Sequence, residues 1–182
     1  MPAGAHLPAP TQNWAMTTSP VTCICDPEID LAKLGELLHA LESSEGTALE
    51  DIDYFDSEWA YDVPNSPNTR KRSAIEYLRV VAVQDGAYVG FLAGNLLKTD
   101  ALVAVAAALN PGQGIGPKLL DAFSVLATAA GRTRLRLMPD TGAGHENRVR
   151  FFKEKCGMDW CADKPTYMCK PIVAIEIDAT LS

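Results

Sequence analysis

The sequence predicts an α/β (α+β) domain in which strands and helices alternate along one continuous chain. Three observations predict it. An Asp85-Gly86 pair sits between two apolar, strand-like runs; a glycine-rich turn separates an apolar run from a helical period; and from that turn to residue 173 helix and strand patterns alternate.

The elements follow in order. Residues 21–25 are β-branched or small and read as a short strand. Asp26, Pro27 and Glu28 then offer an N-cap, a proline for the first helical position and an acid for the first turn. Leu31, Leu34, Leu38 and Leu41 mark the buried stripe of the helix that should follow, and Gly46 its stop. From 47 to 73 no period is sustained. The stretch is acidic, holds Pro64 and Pro67, and concentrates Tyr54, Phe55, Trp59 and Tyr61, as a packed functional loop does. Those rings either cover the core or line a pocket for an organic cation.

Strands over 79–84 and 87–93 flank Asp85-Gly86, which supplies the positive φ angles of a two-residue hairpin turn. Residues 102–109 form a buried strand. Apolar residues at 119, 120, 123, 126, 127 and 130 then recur at helical spacing, over a helix from 117 to 130 that Gly131 closes. Residues 133–138 alternate polar with apolar as a strand. A helix over 146–156 puts Val149, Phe152 and Cys156 on one face and stops at Gly157, and 166–173 supply the last strand.

Composition bounds the function. With 182 residues, 47% hydrophobic and 21% charged, the chain is an ordinary soluble domain. Residues 1–20 are rich in Pro, Ala, Thr and Ser, carry no Lys or Arg for a secretory signal, and read as a disordered tail. Residues 21–182 then make a single domain. The longest apolar run, 101–109, falls far short of the ~20 residues a membrane span needs. Five cysteines, Cys23, Cys25, Cys156, Cys161 and Cys169, are an odd number without a CxxC pair, which argues against a disulfide framework or a zinc knuckle. Reduced thiols in a cytoplasm, and no metal, are the expectation.

The net charge of −7 is unevenly spread. Between 34 and 69 there is no Lys or Arg, while Glu36, Glu42, Glu45, Glu50, Asp51, Asp53, Asp56, Glu58 and Asp62 all fall there. The chain lacks the broad basic face that phosphate neutralisation requires, so general nucleic-acid binding is not expected. A cation is the guest such a segment attracts.

The richest stretch is Leu109-Asn110-Pro111-Gly112-Gln113-Gly114-Ile115-Gly116-Pro117-Lys118. Its glycines let the backbone approach a ligand with no Cβ in the way, and the first N–H groups of the new helix lack partners. An anion is the natural occupant. Glycines between strand and helix also serve as plain tight connections.

Together with the element order, this turn resembles the GNAT (GCN5-related N-acetyltransferase) superfamily. The hairpin Asp85-Gly86-Ala87-Tyr88-Val89-Gly90-Phe91 is similar to that family's "dG-x-x-VGf" strand pair, and Phe152-Lys153-Glu154-Lys155-Cys156-Gly157-Met158 to its "FYeKlGF" helix end. The resemblance extends over about residues 21–173. It implies a mixed, mostly antiparallel central sheet with helices on both faces and a splayed parallel strand pair forming a cofactor cleft. It implies acetyl-CoA, or another acyl-CoA, as acyl donor, and a primary amine as acceptor.

By that resemblance Gly112, Gln113, Gly114, Ile115 and Gly116 contact the cofactor's pyrophosphate, with Leu109 on the strand beside the pantetheine arm. Arg148 on the later helix adds positive field; otherwise it belongs to a solvated face. Lys153 stands where the family often carries a proton-donating tyrosine. Proton acceptance from the attacking amine falls to His145, whose imidazole titrates nearest neutrality, or to a carboxylate of the acidic segment such as Glu50. Asp53, Tyr54, Trp59 and Tyr61 are the candidates to hold a cationic small molecule or a lysine-bearing peptide. Homodimerisation stays open. Two departures from the family pattern, Pro111 in place of a basic or amide residue in a shortened turn, and Lys153, motivate the alternative of a degenerate GNAT-fold domain that binds acyl-CoA or a protein partner without catalysis.

Overall fold

The computed structural model describes residues 19–25, 28–43 and 76–173. Among these residues seven strands form one sheet: β1 (Thr22–Cys25), β2 (Glu76–Gln84), β3 (Ala87–Leu96), β4 (Asp100–Ala108), β5 (Arg134–Leu137), β6 (Asp159–Trp160) and β7 (Met168–Pro171), in the order β1-β2-β3-β4-β5-β7-β6. Every neighbouring pair is antiparallel except β4–β5. Three helices are seen among the described residues: α1 (Leu31–Ser43), α2 (Ile115–Ala129) and α3 (His145–Cys156). The expected fold class, a mixed and mostly antiparallel sheet with helices on both faces, is what the chain adopts.

Strand periodicity divides the core in two. Successive strand residues point to opposite faces, so Val81 and Phe91 meet one helix layer while Val80, Ala82 and Leu92 meet the other. Leu34, Leu37, Leu38 and Leu41 bring α1 onto the first face. Ile115, Leu119, Phe123 and Ala127 of α2, with Cys156 of α3, fill the second. The spacing of the α1 leucines is one helical stripe, and burying each leucine stabilises by about 2 kcal/mol relative to exposure.

Local signals explain where elements begin and end. Asp85 (φ 51°) and Gly86 (φ 78°) make the β2–β3 turn, as that pair predicts. Gly131 (φ 78°) and Gly157 (φ 65°) end α2 and α3 in the left-handed region, where a Cβ is costly. The start of α1 differs from expectation. Asp26 and Pro27 lie outside the described residues, and Glu28 belongs to a turn in which its N–H donates to the Cys25 carbonyl at 2.9 Å. The cap is Asp30, whose carboxylate accepts the N–H of Ala32 at 2.9 Å. The Asp30 N–H in turn donates to the Tyr88 hydroxyl at 2.8 Å, fastening the helix start to β3.

Two further differences concern the last third of the chain. β6, only two residues long, is absent from the sequence reading because it exists through its pairing with β7. The cysteines were expected to be free throughout, yet Cys161 and Cys169 are paired, with Cα atoms 5.4 Å apart. The β6–β7 hairpin brings them together, a juxtaposition that spacing along the chain does not reveal.

The parallel pair is short. β4 and β5 share four rungs, from Asp100↔Arg134 to Val103↔Leu137. Two residues beyond Leu137 stands Pro139, which has no N–H to continue a ladder, and the chain turns away. β4 runs on to Ala108 with only β3 beside it among the described residues. Past Val103 the other edge of β4 therefore has no strand partner among the described residues.

Candidate active site

The glycine turn sits at the open end of β4. Leu109 still pairs with β3, its N–H donating to the Val89 carbonyl at 2.8 Å. Positive φ then recurs at alternate residues: Asn110 (53°), Gly112 (92°) and Gly114 (74°). Alternation of hand turns successive N–H groups toward one side, the geometry of an anion-holding nest. A Cβ placed on Gly112 or Gly114 would meet nothing within 4 Å, so these glycines answer to backbone conformation and to free space in front of the turn.

Gly114 is also the N-cap of α2, and no side chain caps that end. Among the described residues Pro111 and Gly112 form a tight turn that engages the Gln113 N–H, while the N–H groups of Gly112, Gly114, Ile115 and Gly116 have no backbone partner; the next donor in use is Lys118, to the Gly114 carbonyl at 3.5 Å. Pro117 contributes none. An exposed turn with several unpaired donors at the start of a 15-residue helix has the chemistry to hold a negatively charged group. Ile115 is buried at 2% exposure and anchors the turn to the core. Gly116 behaves differently from its neighbours: a Cβ there would lie 3.0 Å from Cζ of Phe151. The third glycine lets α2 and α3 meet.

The remaining described candidates, His145, Arg148 and Lys153, lie on α3, and the loop from β5 positions the first two. Asp140 builds it, accepting the Gly142 N–H on its carboxylate at 3.1 Å. The Asp140 carbonyl lies 2.8 Å from Nδ1 of His145. Because a carbonyl only accepts, the neutral imidazole carries its proton on Nδ1 and leaves the Nε2 lone pair available. Arg148 reaches the carbonyls of Asp140 and Gly142 and the Asp140 carboxylate, the last at 3.1 Å. Its charge is engaged in holding the loop.

Lys153 pairs with Asp159 at 3.1 Å, and that carboxyl is held below its ordinary range, first by the Trp160 N–H and then by Lys153. On a helix two residues subtend about 200°, so Lys153 and Phe151 project to nearly opposite sides of α3. Phe151 is the side that abuts the glycine turn. Lys153 instead shares a groove with His145, Glu146, Val149 and Trp160. Cys156 is buried at 7% exposure, and burial pushes its thiol up to about 11, which suits a core position rather than a nucleophile. Glu50, Asp53, Tyr54, Trp59 and Tyr61 lie outside the described residues.

Sequence reasoning missed Asn110, whose positive φ begins the alternation, and a charged cluster around β5. Arg134 grips Asp100 through Nε (2.8 Å) and Nη2 (3.0 Å), and Asp163 through Nη1 (2.9 Å) and Nη2 (3.0 Å). Arg136 adds a 2.6 Å contact to Asp100 and stacks over Tyr167, its guanidinium 5.5 Å from the ring centroid. Arg134 and Arg136 occupy the polar positions of an alternating strand, and that alternation was the only signal they gave.

In sequence, neither a protein-family model nor a curated protein matches the chain. Solved structures do match its fold. A GNAT-family protein from Desulfovibrio desulfuricans superposes with a TM-score of 0.66 at 13% identity, over 85% of this chain and 100% of that one. The GNAT family N-acetyltransferase YhbS from Escherichia coli, in complex with CoA, gives 0.55 at 13% identity, over 92% and 86%. A GNAT family acetyltransferase from Brucella melitensis, in complex with acetyl-CoA, gives 0.54 at 17% identity, over 85% and 89%. No helix among the described residues is long and apolar enough to cross a membrane. The described sheet, mostly antiparallel with one parallel pair and covered by three helices, matches those structures, and the chain has the GNAT superfamily fold.

Proposed function

We propose that the protein is an acyl-CoA-dependent N-acyltransferase that moves an acetyl or other acyl group from acetyl-CoA (or another acyl-CoA) to a primary amine by direct attack. The observation that carries this reading is the exposed turn of residues 110–116, with positive φ at Asn110, Gly112 and Gly114 and, among the described residues, no backbone partner for the N–H groups of Gly112, Gly114, Ile115 and Gly116. Such a cradle fits a pyrophosphate. The residues present therefore suit the donor, with Gly112, Gln113, Gly114, Ile115 and Gly116 as that cradle and Leu109 beside the arm that follows β4. The edge of β4 past Val103, unpaired among the described residues, offers backbone polar groups to that arm.

When bound, the donor supplies a thioester carbonyl, at which the amine forms a C–N bond as the C–S bond breaks and a thiolate leaves. The chain's own task is to position the two reactants and to take the proton that the amine sheds. His145 suits that task through its free Nε2, held in place by the Asp140 carbonyl. Arg148 acts by fixing the same loop. Lys153, tied to Asp159, faces the groove with Trp160, and its ammonium is a proton source for the departing thiolate only from that side. Glu50 is the alternative base.

The acceptor is proposed to be cationic, a small-molecule amine or a lysine-bearing peptide, because nine carboxylates and no Lys or Arg fall between 34 and 69. Asp53, Tyr54, Trp59 and Tyr61 would contact it. A cytoplasmic setting, where acyl-CoA is made and used, accords with this chemistry.

Titration calorimetry with acetyl-CoA, followed by a thiol-release assay over a panel of primary amines, tests the reading. Saturable binding that Gly114→Asp abolishes, with amine-dependent thiol release, is the expected outcome. Binding without release over the whole panel would leave a non-catalytic acyl-CoA-binding domain, the reading that the engaged Lys153 and the missing N–H of Pro117 favour.

A further inference from the structure

Cys161 and Cys169 stand apart from the other three cysteines. Cys23, Cys25 and Cys156 are unpaired, while Cys161 and Cys169 face each other across the β6–β7 hairpin. The hairpin itself aligns them: Asp159 registers with Cys169, Trp160 with Met168, and the Cys161 N–H donates to the Tyr167 carbonyl at 2.8 Å. Strand periodicity therefore puts both side chains on one face, and their Cα separation of 5.4 Å lies inside the range that a disulfide spans.

Their accessibility differs. Cys161 is buried at 2% exposure, whereas Cys169 is half-buried and opens on a recess of about 340 Å³ that Arg134, Lys170 and Thr133 also line. An oxidant reaching Cys169 finds the second sulfur already in place behind it. Between the two cysteines the loop carries Asp163, which grips Arg134 and Arg136 of β5, and Tyr167, which lies under Arg136. Cys169 is itself the register partner of Arg136.

We propose that Cys161 and Cys169 are a redox-active dithiol pair, a modification site whose oxidation closes the β6–β7 hairpin and fastens the Asp163 clamp on β5. Oxidation joins the two sulfurs and removes two protons and two electrons. A hydroperoxide takes them up and leaves as water and an alcohol, or a low-molecular-weight disulfide takes them up and leaves as two thiols. In a reducing compartment the pair is open and closes under oxidant, the behaviour that sets a redox-responsive pair apart from a permanent structural bridge. Closing the ring at a sequence separation of eight restricts the unfolded hairpin, so the oxidised form is the more stable one.

The experiment is thiol counting on the full chain, independent of any acyl transfer. The protein is incubated with glutathione disulfide or with dithiothreitol, denatured, alkylated and mapped by tandem mass spectrometry. The oxidised sample should carry labels on Cys23, Cys25 and Cys156 alone, and the reduced sample on all five cysteines. Dithiothreitol should also lower the melting temperature of the oxidised protein by several degrees, an effect that Cys169→Ala and, separately, Cys161→Ala remove. Labels on Cys161 or Cys169 after oxidation, a first crosslink through Cys23, Cys25 or Cys156, or a melting temperature indifferent to reduction would each overturn the proposal.

Discussion

Gly116, the second residue of α2, and Phe151 of α3 approach so closely that a Cβ on the glycine would stand 3.0 Å from the ring's Cζ. Gly114, two residues earlier, has nothing within 4 Å of its Cβ position but holds φ 74°. The two glycines therefore answer to different forces, one to packing between helices and the other to backbone hand and ligand approach.

Gly116→Ala should destabilise the fold by no more than about 1 kcal/mol, because the half-buried Phe151 ring must shift while alanine's helix preference offsets part of that cost. A partner change to Phe151→Leu should recover part of that loss, so the double-mutant cycle, read by urea denaturation, should give a coupling well above zero. Gly114→Ala should cost about 1 kcal/mol through its left-handed φ, with no dependence on Phe151. Its larger effect should fall on acetyl-CoA affinity. Additive behaviour of Gly116→Ala and Phe151→Leu would deny the contact any energetic role.

Asp100 and Arg136 supply a prediction about acid. Both are buried, at 6% and 5% exposure, and their contact is 2.6 Å. The hydrogen bonds from Arg134 are the main cause holding both the Asp100 and the Asp163 carboxyl below the usual carboxylate range. A folded-state value below the unfolded one, near 3.9, means that the stabilisation is complete above that value. It is lost as pH falls through the lower, folded-state values. The melting temperature should accordingly be flat from pH 7 to 5 and fall steeply below about pH 4. Asp100→Asn should cost about 3 kcal/mol at pH 7, since it strips a buried guanidinium of a charge partner, and should flatten the acid slope. A variant with the wild-type slope would place the acid sensitivity elsewhere.

Gly94 in β3 predicts a third outcome. A Cβ there would collide with the Leu102 carbonyl of β4 and come within 2.8 Å of Cζ of Phe123. Gly94 stands at a break in the β3–β4 register, where the Leu102 carbonyl comes in close, so backbone must shift to clear a Cβ. Gly94→Ala should therefore cost several kcal/mol, comparable to removing the fully buried Phe123 side chain. Chemical denaturation measures it, and a loss under about 1 kcal/mol would contradict the packing described.

These residues show what was legible in the sequence. Asp85-Gly86, Gly131 and Gly157 act through local backbone geometry, so their types alone placed a turn and two helix ends. The glycine turn was readable for the same reason. Arg134 and Arg136 were readable only as polar positions of a strand. The burial of Arg136 and the half-burial of Arg134 depend on Asp100 and on Asp163, which lie 27 to 36 residues away and meet them only through β4–β5 pairing and the β6–β7 loop. The Cys161–Cys169 pairing and the two-residue β6 were hidden likewise, since each exists only once a partner strand is in place. Asp26 and Pro27 showed a helix start by residue type, but the cap fell to Asp30, which Tyr88 of β3 fixes by tertiary contact.

His145 is the residue on which the catalytic reading can be pressed hardest. Its Nδ1 is committed to the Asp140 carbonyl at 2.8 Å, so a base would act through Nε2. His145→Ala should lower kcat/KM for the amine by roughly 10² or more while the affinity for acetyl-CoA stays within about twofold. His145→Asn can keep the Nδ1-side hydrogen bond but supplies no base, so it should preserve the melting temperature and still lose activity. A His145→Ala enzyme that keeps its activity would move the proton acceptor elsewhere, Glu50 being the next to test.

The acceptor prediction rests on charge alone and is tested through charge. Nine carboxylates without a Lys or Arg between 34 and 69 raise the local concentration of a cation and repel an anion. Exposed charges interact over about a Debye length, ~10 Å at 0.1 M salt and ~3 Å at 1 M. Among matched amines, kcat/KM should therefore rank polycationic acceptors above neutral ones and acidic ones last at low salt, and the ranking should compress as salt is raised. The effect should reside in KM, because steering acts on encounter and not on bond making. Asp53→Asn combined with Glu50→Gln should reduce the salt dependence for cationic acceptors and leave neutral acceptors unchanged. Salt-indifferent turnover of a polycation, or preferred turnover of an acidic amine, would detach the acidic segment from the site and leave acceptor choice to contacts beside β4.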